Sequence, residues 1–258
     1  MDIRTAKAIA AEYGINVKSR PFLASKPDSN PKVAKNMKQG VLTAPLHLAP
    51  ARLSGFNVCA GASEGCIEAC LHTAGNPAYM AGKTRARIAK TKLYFEQRAA
   101  FLALLAEDIF WIGLQARRKG LIAGIRLNAT SDIPWERVEI EPGESVIDFC
   151  KRQGVTPYDY SKIKKRALAQ DYHITFSRTE SNDSDCIDVL KAGGNVAVVF
   201  DKLPKTWNGF PVYDGDESDW RPADKPGVIG LKAKGKARHD YDSGFVVRTK
   251  APSASGAA

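Results

Sequence analysis

"VTPYDYSKIKKRALAQDYHITFSRTESNDSDCIDVLKAGGNVAVVF", residues 155–200, decides the fold class. Three apolar runs of strand length, 155–161, 172–177 and 195–200, are separated by "KIKKRALAQ" and "SDCIDVLKAGG", which have helical character. Strands that are apolar throughout, alternating with helices, are the pattern of a parallel sheet covered by crossover segments. The expectation is therefore an α/β protein, and the question becomes how far the rhythm extends.

It extends both ways. "IAGIRLN" (122–128) and "GVLTAPLHLAP" (40–50, bounded by Gly40 and Pro50) read as earlier strands, "ESVIDFCKRQG" as a helix, and "GVIGL" (227–231) as a later strand. Phe95, Ala99, Leu102, Leu105, Ile109, Ile112 and Ala116 recur at steps of three or four, which predicts one helix across 77–118 that stops at Gly120. "IRTAKAIAAEYG" predicts an opening helix, followed by a Pro/Ser/Lys-rich connection from 20 to 40. Six or so strands make a single α/β domain, mostly parallel, either a (β/α) barrel-like fold or partial TIM barrel, or an open doubly wound sheet. The expected layout is an N-terminal helix and connection over 1–40, the (β/α) domain over 41–240, and a strand or tail over 241–258 whose end, "APSASGAA", is disordered.

Composition fits an ordinary globular chain, with 44% hydrophobic and 26% charged residues in 258, enough for a sizeable core. The N-terminus has no apolar segment of secretory type, and the most apolar run, "FLALLAEDIFWIGL", is interrupted by Glu107 and Asp108. This reads as a cytoplasmic protein with no membrane partner, where clustered cysteines bind metal or do chemistry more often than they form bridges. The net charge of +10 favours anionic partners, nucleic acid among them, and "GKTRARIAKTK" (82–92) and "LKAKGKAR" (231–238) concentrate it. No phosphate-loop, dinucleotide or H-E-x-x-H fingerprint is present.

The cysteines are unevenly placed. "NVCAGASEGCIEACLHTAGN" (57–76) holds Cys59, Cys66 and Cys70 in the loop after the first strand, spaced C-x6-C-x3-C. Cys66 and Cys70 fall on one side of a helical turn, and Gly61 and Gly65 let the backbone approach an anionic centre. Three ligands from one loop fit a [4Fe-4S] cluster with one iron open. Zinc would need a fourth ligand, for which His72 is available in a Cys3His site. Nucleophilic use would need a base from His47, His72, His173 or His239, and no spacing singles one out. Cys150 and Cys186 read as buried helix thiols.

Polar residues cluster at the C-terminal ends of the expected strands, where parallel α/β folds carry their sites. Asn128 and Asp132 follow one strand; Tyr158, Asp159 and Lys162 the next; Arg178 and Glu180 the third; "VYDGDESDWR" adds Asp214, Asp216, Asp219 and Arg221. Asn128, Asp132, Tyr158, Arg178, Asp214, Asp216 and Arg221 are expected to line a pocket for a small polar or anionic ligand. Lys162 and Arg178 would act as anion clamps, and Asp159 or Glu180 as a general base.

"FNVCAGASEGCIEACLHTAGN", "IRLNATSDIPWE", "YDYSK", "HITFSRTESN", "NVAVVF", "YDGDESDWR" and "GVIGLKAKGKAR" together resemble a family of bacteriophages, prophages and plasmids known in mycobacteriophages as gene product eighty-eight. The resemblance spans about 40–238 and implies a viral origin and a common purpose for these motifs, without implying a reaction. The layout is also similar to that of radical S-adenosylmethionine enzymes, in which three cysteines after the first strand of a partial or full (β/α) barrel hold a four-iron cluster. That similarity implies S-adenosylmethionine as a candidate ligand. The spacing there is C-x3-C-x2-C, so the fourth iron here would be open to a protein carboxylate, a histidine or another small molecule. The functional expectation is a phage iron–sulfur protein with a redox or Lewis-acid enzymatic role. Its alternatives are a nucleic-acid-binding or regulatory protein with a structural or redox-sensing cluster, and a zinc-stabilised binding module.

Overall fold

The computed structural model describes residues 1–27, 31–70, 81–169 and 171–249. In chain order these fold as α1 (Ile3–Glu12), α2 (Pro31–Met37), β1 (Val41–Pro45), α3 (Glu64–Glu68), α4 (Ala81–Glu96), α5 (Arg98–Arg118) and β2 (Ile122–Arg126). There follow β3 (Glu139–Glu141), β4 (Glu144–Ser145), α6 (Val146–Arg152), β5 (Val155–Ser161), α7 (Lys164–Ala169) and β6 (His173–Ser177). The last part holds α8 (Asp183–Lys191), β7 (Asn195–Phe200), β8 (Thr206–Trp207), β9 (Phe210–Asp214) and β10 (Gly227–Lys232).

Eight strands form one sheet in the order β1-β2-β5-β6-β7-β10-β9-β8. Every neighbouring pair is parallel except β8 with β9, while β3 and β4 make a separate antiparallel pair. The expectation of a single α/β domain with a mostly parallel sheet therefore holds. The sheet ends at β1 and β8, and among the described residues no pairing joins them to close a barrel.

Alternation along the strands sorts the two faces. Leu42, Ala44, Ile125, Leu127, Val155 and Ile174 face the helices in the main core, with α5 contributing Phe101, Leu104, Leu105, Ile109 and Ile112. Phe176, Val196, Val198 and Phe200 continue this layer under α8 with Cys186. Cys150 and Cys186 are both fully buried, as expected of core thiols. On the opposite face Gly124, Arg126 and Tyr158 meet the connection between β9 and β10. There Trp220 packs edge-on against Tyr158 at 5.2 Å and covers Gly124, where a Cβ would lie 2.6 Å from the indole. Only glycine allows that approach.

Three differences from the sequence reading have physical causes. The single helix expected over 77–118 is broken at Gln97, which leaves helical geometry at φ −137° and ψ 55°. At 1.5 Å per residue an unbroken helix of that stretch would run roughly 60 Å, longer than a domain of this size is wide. Residues 77–80 lie outside the described residues. The connection over 20–40 carries α2 and an antiparallel bridge from Ala24 to Leu46. It is anchored by Asp108, whose carboxylate accepts the N–H groups of Phe22, Leu23 and Ala24 at 2.6, 2.7 and 2.9 Å. α5 is long and apolar enough to cross a membrane by length and composition, but it is the central helix of this core, with 56% of its most apolar window buried. Finally, β8 and β9 were not legible as strands. Pro211 sits in β9, which is reached out of order as a peripheral strand beside β10. The tail contributes a parallel bridge from Val247 to Phe200, and 250–258, where disorder was expected, lie outside the described residues.

Candidate functional site at the cysteine loop

The chain leaving β1 crosses the C-terminal ends of β2 and β5 and is fastened there by its backbone. Ala129 N–H reaches Leu46 O, Thr130 Oγ1 donates to Leu48 O at 2.6 Å, and Asp132 N–H donates to Val58 O at 2.7 Å. Asp132 also accepts the N–H of Lys162 at 2.9 Å, so one residue links the loop to the end of β5. Asn57 caps the turn by accepting the N–H of Cys59 at 2.9 Å.

The cysteine-bearing turn α3 is capped by Ser63, whose Oγ accepts the Cys66 N–H at 3.2 Å. Glu180, from the loop after β6, completes the cap: it accepts from Ser63 Oγ at 2.7 Å and from Gly65 N–H at 3.1 Å. A Cβ on Gly65 would lie 2.9 Å from Ser243 Oγ and 3.1 Å from Glu180 Oε1, so this glycine is required by close approach. Burial pushes the Glu180 carboxyl up, but those hydrogen bonds and the Arg178 charge more than offset it and hold it below its ordinary value. Glu180 is thus a clamp on the cysteine turn.

Cys59, like Cys66 and Cys70, is half-buried. Ala51 N–H points at its Sγ at 3.4 Å, and Ala51 itself sits at φ 49°, an unusual conformation for a residue with a side chain, at the point where the loop turns toward the sulfur. Burial raises the Cys59 thiol to about 11; Ala51 N–H opposes this, Cys70 and Cys66 add to it, and Lys162 opposes it. Cys59 therefore lies within electrostatic reach of both other cysteines and of Lys162. All five cysteines of the chain are thiols. Among the described residues, no group of three or more His, Cys, Asp and Glu side chains closes into metal-ligand geometry. His72 lies outside the described residues. The loop brings three sulfur donors from one segment, one of them taking a backbone N–H.

Basic groups surround this loop on the side facing β1 and β2. Arg87 on α4 interacts with Cys70; burial lowers its guanidinium and Cys70 opposes that, while among the described residues its Nη1 is buried with no hydrogen-bond partner. His47, just beyond β1, is held down to about 3 by burial and by Arg87, Lys90 and Arg126. Burial and Arg87 bring Lys90 to about 8, against Asp108. Arg126 reaches across the open face of the sheet. Its Nη1 sits 3.3 Å from both Asp219 oxygens, its guanidinium lies over the Tyr160 ring at 4.4 Å, and among the described residues its Nε is buried without a hydrogen-bond partner, as is Tyr160 Oη.

The structure therefore sorts the expected site residues into groups. Cys59, Cys66, Cys70, Lys162 and Glu180 come together at the loop. Tyr158 lies on the open face, with its hydroxyl 3.4 Å from Asp219, and burial pushes it well above its ordinary value. Asn128, Asp132 and Asp159 go into a buried network beneath the site: Asp159 accepts from Asn128 N–H at 2.6 Å and Tyr172 Oη at 3.2 Å, and burial pushes it up to about 7. Arg178 straps down the C-terminal segment through the carbonyls of Gly244 and Phe245. Asp214 and Asp216 pair with Lys232 and Lys234. Arg221 is buried in the β9–β10 connection, against Asp224 at 3.0 Å.

Missed as site residues were Arg87, Lys90 and Arg126, while His47 stood only as one of four available bases. The signal for Arg126 was available: an arginine inside an otherwise apolar strand is too costly to leave unexplained. Arg87 and Lys90 were visible only as members of a basic run. No curated protein and no solved structure matches the chain. A family model described as gene product 88 does match, over residues 22–249, and the chain belongs to that family.

Proposed function

We propose that this is an iron–sulfur protein in which Cys59, Cys66 and Cys70 hold a [4Fe-4S] cluster over the C-terminal ends of β1, β2 and β5, beside a pocket for a small polar or anionic ligand. The observation that carries the reading is the convergence on one fastened loop of three thiols, with Lys162 and Arg87 at hand to balance thiolate charge. The order β1-β2-β5-β6-β7-β10 advances in one direction. Right-handed crossovers in that order put the helices on one face, which is the logic of a partial (β/α) barrel with a curved inner face. On that face Arg126 and Tyr160 have donors in reserve for an anion. The cluster would supply redox or Lewis-acid chemistry, and S-adenosylmethionine is one ligand that such a layout takes. The setting proposed is the cytoplasm of a phage-infected host.

Anaerobic purification with iron, sulfide and absorbance analysis tests this, run beside the Cys59→Ala, Cys66→Ala, Cys70→Ala triple variant. The expected result is about four irons and a broad band near roughly 400 nm, both lost in the variant. A colourless protein with stoichiometric zinc would instead establish a zinc-stabilised module, and a protein with neither metal would remove the reading.

A further inference from the structure

Beyond the cysteine loop, the C-terminal ends of β7 and β10 and the segment after β10 enclose a cleft of about 350 Å³, lined by Asp201, Lys232, Ala233, Arg238 and Arg248. Its charge balance is positive. Asp201 turns its Oδ1 to the N–H groups of Lys202 and Thr249 and to Thr249 Oγ1, at 2.6, 3.0 and 3.1 Å, and its charge reaches Arg248, so the lining sets three cations against one carboxylate. Lys232 pairs with Asp214 at 3.0 Å at the rim. Arg248 donates to two carbonyls, Arg238 O and Asp240 O, and among the described residues its Nε is buried with no hydrogen-bond partner.

An aromatic group adjoins these cations. The Arg248 guanidinium lies 4.2 Å from the centroid of Tyr241, which is 64% exposed, the most exposed large apolar side chain among the described residues. A cationic cleft beside an open aromatic ring is the pairing that receives a phosphate and a base together. The position agrees, since ligands of parallel sheets bind beyond the carboxyl ends of the strands. The volume is also in the range of small-ligand clefts.

We infer that this cleft is a nucleotide-phosphate site: Lys232, Arg238 and Arg248 hold a phosphate of a nucleotide or of a nucleic-acid strand, and the base stacks on Tyr241. Ala233 and Val199 pack in one cluster with Cys66, so the cleft shares a wall with the cysteine loop. The inference does not rest on the iron–sulfur reading.

The test is binding to the full chain of inorganic phosphate, adenosine monophosphate and a short fluorescein-labelled single strand, at several salt concentrations. Arg238→Gln and Tyr241→Ser are the variants; both side chains are exposed, so the fold tolerates them. Adenosine monophosphate or the strand should bind more tightly than phosphate, Arg238→Gln should weaken binding about tenfold, and Tyr241→Ser should abolish the advantage over phosphate, with Tyr241→Phe restoring it. Saturable binding of the mononucleotide identifies a nucleotide site, while binding of the strand alone, with a steep salt slope, identifies a nucleic-acid site. Absence of saturable binding, affinity unchanged in Arg238→Gln, or phosphate binding as tightly as the nucleotide would each overturn the inference. Repeating the titration on the triple cysteine variant separates this site from the cluster, because binding should persist there.

Discussion

Two polar clusters lie on opposite faces of the same strands, and they are built on opposite terms. On the helix side, Asn128, Asp132, Glu136, Asp159, Arg166 and Tyr172 form a network in which Arg166 alone reaches Glu136 twice, Asp132, Ser161 Oγ, the Ile133 carbonyl and Tyr172 Oη. Asn128 accepts from Ser131 Oγ, Ile133 N–H and Trp135 Nε1 and donates to Ile133 O. On the open side, among the described residues, Arg126 Nε and Tyr160 Oη are buried with no hydrogen-bond partner. Buried polar atoms in a working fold are almost always bonded, so a satisfied cluster stabilises the fold and an unsatisfied one awaits a ligand or water. The difference separates residues that hold the site in place from those that would touch what enters it.

The strongest way to break that distinction is Arg166→Met. The side chains of Arg166, Asp132 and Glu136 are 4%, 8% and 10% exposed, so the change leaves two buried carboxylates uncompensated. Loss of about 3–5 kcal/mol of stability is expected, read as a lower urea midpoint at unchanged slope. A loss below about 1 kcal/mol would mean that the network is not the structural half of the pair.

Asp159 offers a sharper version of the same test. Burial raises its carboxyl to about 7 from an ordinary 3.8, so between those values the folded chain holds a proton that the unfolded chain has released. Stability from this group is therefore fully present below about pH 4 and falls as pH rises to about 7. Relative to Asp159→Asn, the wild type should lose stability across that window and run parallel to it above. A stability difference that stays constant from pH 4 to 7 would show that Asp159 is ionised throughout.

Much of this architecture was legible in the chain because burial leaves a mark on residue type. The strands at 155–161 and 195–200 were read to the residue, since an apolar run of that length between helical segments has few other uses. Position along a strand told less about which face a polar residue serves. Asp159 and Tyr160 are neighbours at the end of β5, yet the pleat sends one into the core and the other to the open face, and only the pairing register settles which. Glu180 was recognisable as a site residue but not as a cap, because its partners Ser63 and Gly65 lie more than a hundred residues away. The β9–β10 connection, which drapes Trp220 over Gly124, left no periodic signal at all.

Glu180→Gln probes the boundary between the two clusters, where a clamp meets the cysteine turn. Replacing the carboxylate weakens the cap on α3 and should cost about 1 kcal/mol. Its informative consequence is local: Cys66 and Cys70 should react faster with iodoacetamide, while Cys150 and Cys186 stay protected. Equal rates in both proteins would mean that Glu180 does not hold the turn.

The smallest effect is expected from Tyr160→Phe, and its smallness is the argument. Removing a bonded buried hydroxyl costs stability because its partner loses a bond, but among the described residues Tyr160 Oη has no partner to lose one, and the ring that Arg126 covers is retained. Thermal unfolding should shift by the equivalent of about 0.5 kcal/mol or less, in either direction. A loss of 2 kcal/mol or more would show that the hydroxyl is already satisfied, by water for example, and would move the open face into the same structural category as the network behind it. A neutral result leaves an enclosed hydroxyl that the fold does not need, beside an arginine edge in the same condition, and that is the physical sense in which this face is built for something other than folding.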